Sequence, residues 1–310
     1  MIMLFNKDNN GSEEISILTG NYYANNDFDK IATDIETATR DVSRIVGKEV
    51  IKEAENLYQQ STLENIDLVK LVQRPIAILA TLRIMQKNDI SHENSGRKVK
   101  IDASSEKIPW EWQIENDNKL MLEEHYRAMD LLIEYLEETS NESWINSDQY
   151  KNTQKLFIKS AIEFDRYFPI DSSSRMFVLL SPFLREAERR YLKPVLGNDY
   201  DRLRLKEDLT EKEIELLDYI KAPLPLLTMA IAIRRMPLAV IPFGVIQNYV
   251  GNVTMNSSEA PNIDMIKSVS EWLMDDAMEL IEELKKERNS ETVIDLLPKN
   301  SIKNKYMSVH

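Results

Sequence analysis

One pattern of apolar residues runs through this chain twice in the same order, and it constrains the fold more than any single motif. Ile31, Ile35, Ala38, Val42 and Ile45 or Val46 fall at the three-and-four spacing of one buried helix face, and Leu180, Leu184, Ala187, Tyr191 and Val195 repeat that spacing downstream. Phe28 and Phe177 stand at the same interval before the two runs, and each run reaches a glycine, Gly47 or Gly197. A tyrosine-containing helical piece follows in both cases, Ala54 to Tyr58 and Tyr200 to Leu205, and then an acidic linker. Next comes a helix running into a proline, Leu71 to Pro75 and Tyr219 to Pro223, which continues to Leu82–Met85 or Ile233–Met236. Proline suits a first helical turn, so both helices are expected to restart there.

The last match keeps one register without a gap. Met121, His125, Met129, Leu132, Ile133 and Leu136 align on Val269, Leu273, Ala277, Leu280, Ile281 and Leu284. Between the second and third helices of each copy lies a polar, turn-rich stretch. Lys98 to Ile101 alternates as a half-exposed strand does and Ala103 to Pro109 reads as a turn, while Gly244 to Met255 and Asn256 to Pro261 follow the same plan. The segments before each first helix, Ile15 to Tyr23 and Phe157 to Phe168, read as extended.

The expected fold is therefore mainly α, with two tandem degenerate helical-bundle units, each carrying a short extended arm or β-hairpin insertion. Single cores stop growing near roughly 250–300 residues, and at 310 residues the repeat decides for two. The expected boundaries are an N-terminal extension at 1–14, helical unit 1 at 15–138, a Ser-, Asn- and Asp-rich linker at 139–156, helical unit 2 at 157–288 and a C-terminal tail at 289–310. The tail holds one apolar patch, Val293 to Leu297, before Pro298, and such tails either fray or dock on a neighbour.

Composition narrows the chemistry. With 43% hydrophobic and 29% charged residues the chain can build a core. It has no cysteine, which removes disulfides, thiolate metal sites and a cysteine nucleophile, and points to an intracellular or in-assembly site of action. The stretch from Pro223 to Ile246 comes nearest to a membrane span, but Arg234, Arg235 and three further prolines interrupt it, so no membrane association is expected. A formal charge of −13 opposes adhesive binding to nucleic acid or anionic lipid, although DNA can slide past such a surface.

The 7 glycines stand alone, so no phosphate-cradling loop or dinucleotide fingerprint can be assembled. His92, His125 and His310 are scattered, and His125 sits on an apolar helix face, where packing is the ordinary use. The carboxylates Glu123 and Glu124, and Asp275, Asp276 and Glu279, belong to helix faces; in the second set acids precede Lys285, Lys286 and Arg288, which complements a helix dipole. The expectation is no catalytic residue, no metal and no cofactor. Arg185, Arg189, Arg190 and Lys193, with Arg202 and Arg204 after them and Glu186 and Glu188 interleaved, form the one basic cluster where a phosphate site can be argued, with ion pairing within the bundle or across a subunit interface as the preferred use. Trp110 and Trp112 beside Pro109, and Phe243 and Tyr249 in the second arm, are the candidate interface residues, with packing on their own core as the alternative.

The runs Ser174–Phe177, Leu184–Glu188, Leu192–Gly197 and Pro223–Ala232 resemble structural proteins of tailed phages infecting Bacteroides-type bacteria, similar to the head–tail connector or ring proteins of crAss-like phages. The resemblance covers most of 157–288 and extends weakly to the first unit. It implies a non-enzymatic virion protein at the head–tail junction, assembled in the host cytoplasm into a homo-oligomeric ring of about twelve copies beneath the portal. Its implied partners are the portal and other tail or connector proteins, with DNA passing through the lumen without specific binding. The competing expectation is a soluble helical-repeat adaptor or regulator that binds partner proteins without building a particle.

Overall fold

The computed structural model describes residues 4–20, 28–60, 66–93, 96–98, 109–206, 209–236, 238–241, 244–247 and 263–290. The fold is mainly α. In chain order the first part comprises α1 (Gly11–Leu18), α2 (Phe28–Val46), α3 (Lys48–Gln60), α4 (Ile66–Asn88), the short strands β1 (Ser91–Glu93) and β2 (Gly96–Lys98), and α5 (Glu111–Glu138). Then come α6 (Glu142–Ile145), α7 (Asp148–Thr153), α8 (Ala161–Asp165), α9 (Ser174–Ala187), a π-helical turn at Glu188–Leu192, α10 (Lys193–Leu196), a 3-10 turn at Gly197–Asp199 and α11 (Tyr200–Leu205). The remainder is α12 (Glu211–Lys221), α13 (Pro223–Arg235), strands β3 (Leu238–Ile241) and β4 (Gly244–Gln247), and α14 (Ile263–Ser290). Each strand pair is a two-stranded antiparallel ribbon, β1 with β2 and β3 with β4. The first ribbon lies just before the strand expected at Lys98 to Ile101, most of which, with residues 99–108, is outside the described residues.

Two large hydrophobic cores result, one from Leu4 to Trp144 and one from Leu156 to Leu284, with a smaller cluster of Ile78, Leu82, Met121 and Ala128 between α4 and α5. Each large core is built around a central helix. In the first, α4 lies between α2 and α5; in the second, α13 lies between α9 and α14. The apolar face of α2 buries Ile31, Ile35, Ala38, Val42 and Val46 as its spacing requires, and α5 buries all six register positions from Met121 to Leu136. On α14 the C-terminal positions Ala277, Ile281 and Leu284 are buried, whereas Val269, Leu273 and Leu280 are half-buried. Gly47 takes a φ of 93° directly after α2 and Gly197 one of 58° after α10, a left-handed turn that lets the next helix change direction.

Several expectations are corrected. The N-terminal extension is not separate from the first unit: Leu4 and Phe5 are buried in its core, and Gln73 Nε2 on α4 donates to Leu4 O at 2.5 Å. Ile15 to Leu18 is helical within α1, and Ala161–Asp165 is helical too, capped by Ser160 accepting from Glu163 N–H, so neither lead-in is extended throughout. The linker at 139–156 is folded. Asn141 and Ser147 cap α6 and α7, and Trp144 is buried in the first core. Pro223 starts α13, but α4 passes through Pro75 unbroken. There the helix is held from both sides: Val72, Ile76 and Ala77 are fully buried, and His125 Nδ1 of α5 lies 2.9 Å from Pro75 O.

The buried stripe of α9 also departs from its expected course. Leu180, Leu184 and Ala187 are buried as expected, but beyond them the buried positions are Glu188, Leu192 and Leu196, while Tyr191 and Val195 are only half-buried. The π turn takes an extra residue per turn and so moves the stripe by one position.

The cores meet through α9, which packs against α5, α7 and α2 of the first core. Asp130 on α5 accepts from Ser173 Oγ at 2.9 Å and from the Arg175 N–H at 2.7 Å, satisfying donors at the N-terminus of α9 from across the junction. The Arg175 guanidinium stacks 3.7 Å from the Tyr126 ring centre, and burial pulls its pKa down. Asp130→Ala strips an N-terminal cap and a charged acceptor together, so a loss of about 2 kcal/mol is expected. In urea monitored by circular dichroism, the variant is expected to show a broadened or split transition as the cores uncouple.

Candidate interaction surface

α5 begins where the chain leaves the extended backbone of Trp110. The Gln113 side chain reaches back to accept from Trp110 N–H at 3.0 Å, half of the reciprocal arrangement that starts helices. Buried side chains of α5 begin only at Met121. The first ten residues of the helix, about 15 Å of its length, contribute no buried side chain, although Ile114, Glu115, Asp117, Asn118 and Lys119 are half-buried. Trp110 is 72% exposed and Trp112 is 42% exposed, and Leu120 on the same segment is exposed as well. The second closing helix shows the same habit, with Met265 and Trp272 exposed in the N-terminal half of α14. Exposed tryptophans at the open end of a rigid helix have the properties of interface anchors: large area, few rotatable bonds and one polar atom. Phe243 and Tyr249, the other candidates, lie outside the described residues.

The groups examined for chemistry are dispersed. Among the described residues no set of three or more His, Asp or Glu side chains is placed to hold a metal ion. His125 is buried and faces a carbonyl, which can only accept, so its Nδ1 carries the proton; burial is the main reason its pKa is lowered and the ring neutral. His310 lies outside the described residues, and of His92 only the strand backbone is described. Glu124, Asp275, Asp276 and Glu279 are exposed along α5 and α14, and Glu123 is half-exposed. Three members of the basic cluster come together with Arg235: Pro182, Arg185, Glu186, Arg189, Arg190 and Arg235 line a surface cleft of about 600 Å³, whereas Lys193 lies over the Tyr200 ring.

Sequence reasoning grouped Glu188 with this surface cluster, and the structure moves it inside. The carboxylate is 1% exposed, accepting from Phe157 N–H at 2.7 Å and from the Tyr200 hydroxyl at 3.1 Å. Burial raises its pKa to about 7, against the pull of those hydrogen bonds and of Arg204 and Arg185. The available signal was its place four residues after Leu184, on the apolar face.

The run from Glu211 to Arg235 is long and apolar enough to cross a membrane by length and composition alone. The origin of its apolarity is visible in the fold, since α13 is the central helix of the second core.

The fold and surface thus define a class: a mainly α protein with two large cores whose closing helices carry exposed aromatic residues. The chain belongs to the DUF6712 family, a family of unknown function, whose model matches residues 42–154 and 187–291, one stretch on each core. No curated protein and no solved structure is significantly similar to it.

Proposed function

We propose that this protein is a non-catalytic virion structural component, a head–tail connector that assembles into a ring beneath the portal and around the DNA channel. The observation that carries this reading is the junction inside the chain, where the closing helix of one core, α5, meets the opening helix of the next, α9, through unlike surfaces. Contacts between unlike surfaces are the kind that continue from copy to copy and close into rings. On this reading the chain is a tandem pair of degenerate units, the ribbons β1–β2 and β3–β4 belong to arms that reach a neighbour, and Trp110 and Trp112 anchor one such contact. At −13 per chain, a ring of about twelve copies carries a formal charge on the order of −150, which repels DNA phosphates and lets the duplex pass.

Mass photometry of the purified chain, alone and with the portal, tests the reading. Discrete closed oligomers or capture by the portal are expected. Trp110→Ala with Trp112→Ala is expected to keep the helix content and lose at least tenfold in assembly affinity, as removal of aromatic anchors does. The second reading, a helical-repeat adaptor, is favoured by the layered order of α2, α4, α5, α9, α13 and α14, since stacked repeats expose broad binding faces. A monomer that ignores the portal selects it.

A further inference from the structure

The electrostatic outlier of this acidic chain is the cleft beside the π turn. Four arginines, Arg185, Arg189, Arg190 and Arg235, line it together with a single acidic residue, Glu186. Glu186 is already committed: Arg235 binds it with two contacts of 2.5 and 3.0 Å, and Arg190 Nε lies 3.1 Å away. Arg185 is turned to the Asn152 carbonyl, and Arg189 is exposed with no ion pair among the described residues. The cleft thus keeps an excess of positive charge in a chain of −13.

The complementary surface is on α14. Met265, Trp272, Asp276, Glu279 and Glu283 recur at spacings of seven, four, three and four, which places them on one stripe of the helix, and all five are exposed. Asp276, Glu279 and Glu283 enter no ion pair among the described residues. The stripe pairs two apolar anchors with a row of carboxylates, the chemistry that guanidinium groups bind by forked hydrogen bonds and by stacking on an indole face. The stripe lies on the exposed face of α14, opposite the face that packs on α13, while Arg288 near the end of the helix reaches Val195 O and Asp199 just after the π turn. A cationic patch and an anionic patch carried on the same chain are what head-to-tail association requires.

We propose that the α14 stripe of one copy docks in the arginine cleft of the next. This assignment rests on the ring reading and names its interface: Trp272 enters against Pro182 and the exposed guanidinium of Arg189, and Asp276 and Glu279 meet Arg189 and Arg190. Because the pairs lie at the surface, association is expected to weaken as salt rises.

The test uses two full-length variants with reversed charge at exposed positions, Arg189→Glu with Arg190→Glu, and Asp276→Lys with Glu279→Lys. Circular dichroism first establishes that each keeps the wild-type helix content. Each variant alone is expected to lose the oligomers that mass photometry shows for the wild type, and an equimolar mixture to restore them, since the reversed stripe fits the reversed cleft and the two unchanged patches fit each other. Oligomers retained by both single variants overturn the inference and leave the ring reading standing. Loss in both with no recovery on mixing also overturns it, because the two patches then do not meet. A wild-type chain that stays monomeric at every concentration removes both. A duplex DNA probe that binds the wild type but not the Arg189→Glu, Arg190→Glu variant, with assembly unchanged, reassigns the cleft to a polyanion and overturns the docking.

Discussion

Trp144→Ala is expected to cost about 3–5 kcal/mol and to unfold the first core at urea concentrations that leave the second intact. The side chain is 1% exposed on α6, which packs against α3, and its ring meets that of Tyr150 edge-on at 5.7 Å. Truncation empties a site of indole size between rigid helices that cannot collapse into it, and it cuts the fastening of the segment between the cores. Trp144 Nε1 has no hydrogen-bond partner among the described residues. Trp144→Phe therefore removes an unsatisfied donor along with part of the ring and is expected to cost about 1–2 kcal/mol, well under the alanine variant. Equilibrium unfolding followed by far-ultraviolet circular dichroism checks both. An alanine variant as stable as the wild type would mean that residues 139–156 contribute nothing to the core.

The second large effect is a pH dependence centred on Glu188. Its folded pKa of about 7 lies above the ordinary carboxyl value of 4.5 because burial penalises the charged form. Between those two values the folded chain holds a proton that the unfolded chain has released. The contribution of Glu188 is thus fully present below about pH 4.5, is lost as pH rises to about 7, and stays constant above that; at 1.36 kcal/mol per unit the loss is about 3 kcal/mol. Glu188→Gln keeps an acceptor for Phe157 N–H and offers Tyr200 an amide donor, but it has no proton to lose. The variant is expected to flatten the stability profile across this window and to exceed the wild type at pH 8. Urea titrations of both proteins at half-unit pH steps give the answer, and parallel profiles would place the titration elsewhere.

What could be read in the chain, and what could not, divides along one physical line. Periodicity reports which face of a helix is buried, so α2, α5 and the order of elements around Gly47 and Gly197 were legible from Ile31, Met121 and their successors. Periodicity is silent where a segment is too short to show a period. Residues 139–156 look like a linker because Ser, Asn and Asp dominate them, yet those residues are the caps of α6 and α7, and Trp144 was the sign of a core that composition obscured. Leu4, Phe5 and α1 were missed for the same reason. The π turn at Glu188–Leu192 leaves no mark in residue type, since Arg, Tyr and Leu suit an ordinary helix equally well, and only the buried carboxylate inside the apolar stripe betrayed it. Of the candidate surface, the tryptophans and the arginine cluster were visible as residues, but whether they pointed outward depended on where the core of α5 began.

The π turn also sets the phase of everything that follows it. A residue in an α-helix accounts for about 100° of rotation, so one residue more or less in that turn would swing Leu192 and Leu196 off the core and carry Gly197 to another azimuth. The turn acts as a vernier between the two halves of one long helix. Its first half is aligned with the junction to the first core and its second half with Tyr200 and Leu203 of the second core, and neither alignment can be tuned by substitution alone. In this part of the chain a change of length is the costly change, whereas the exposed Arg189 and Arg190 that sit on the turn are free to vary in character without disturbing the register they mark.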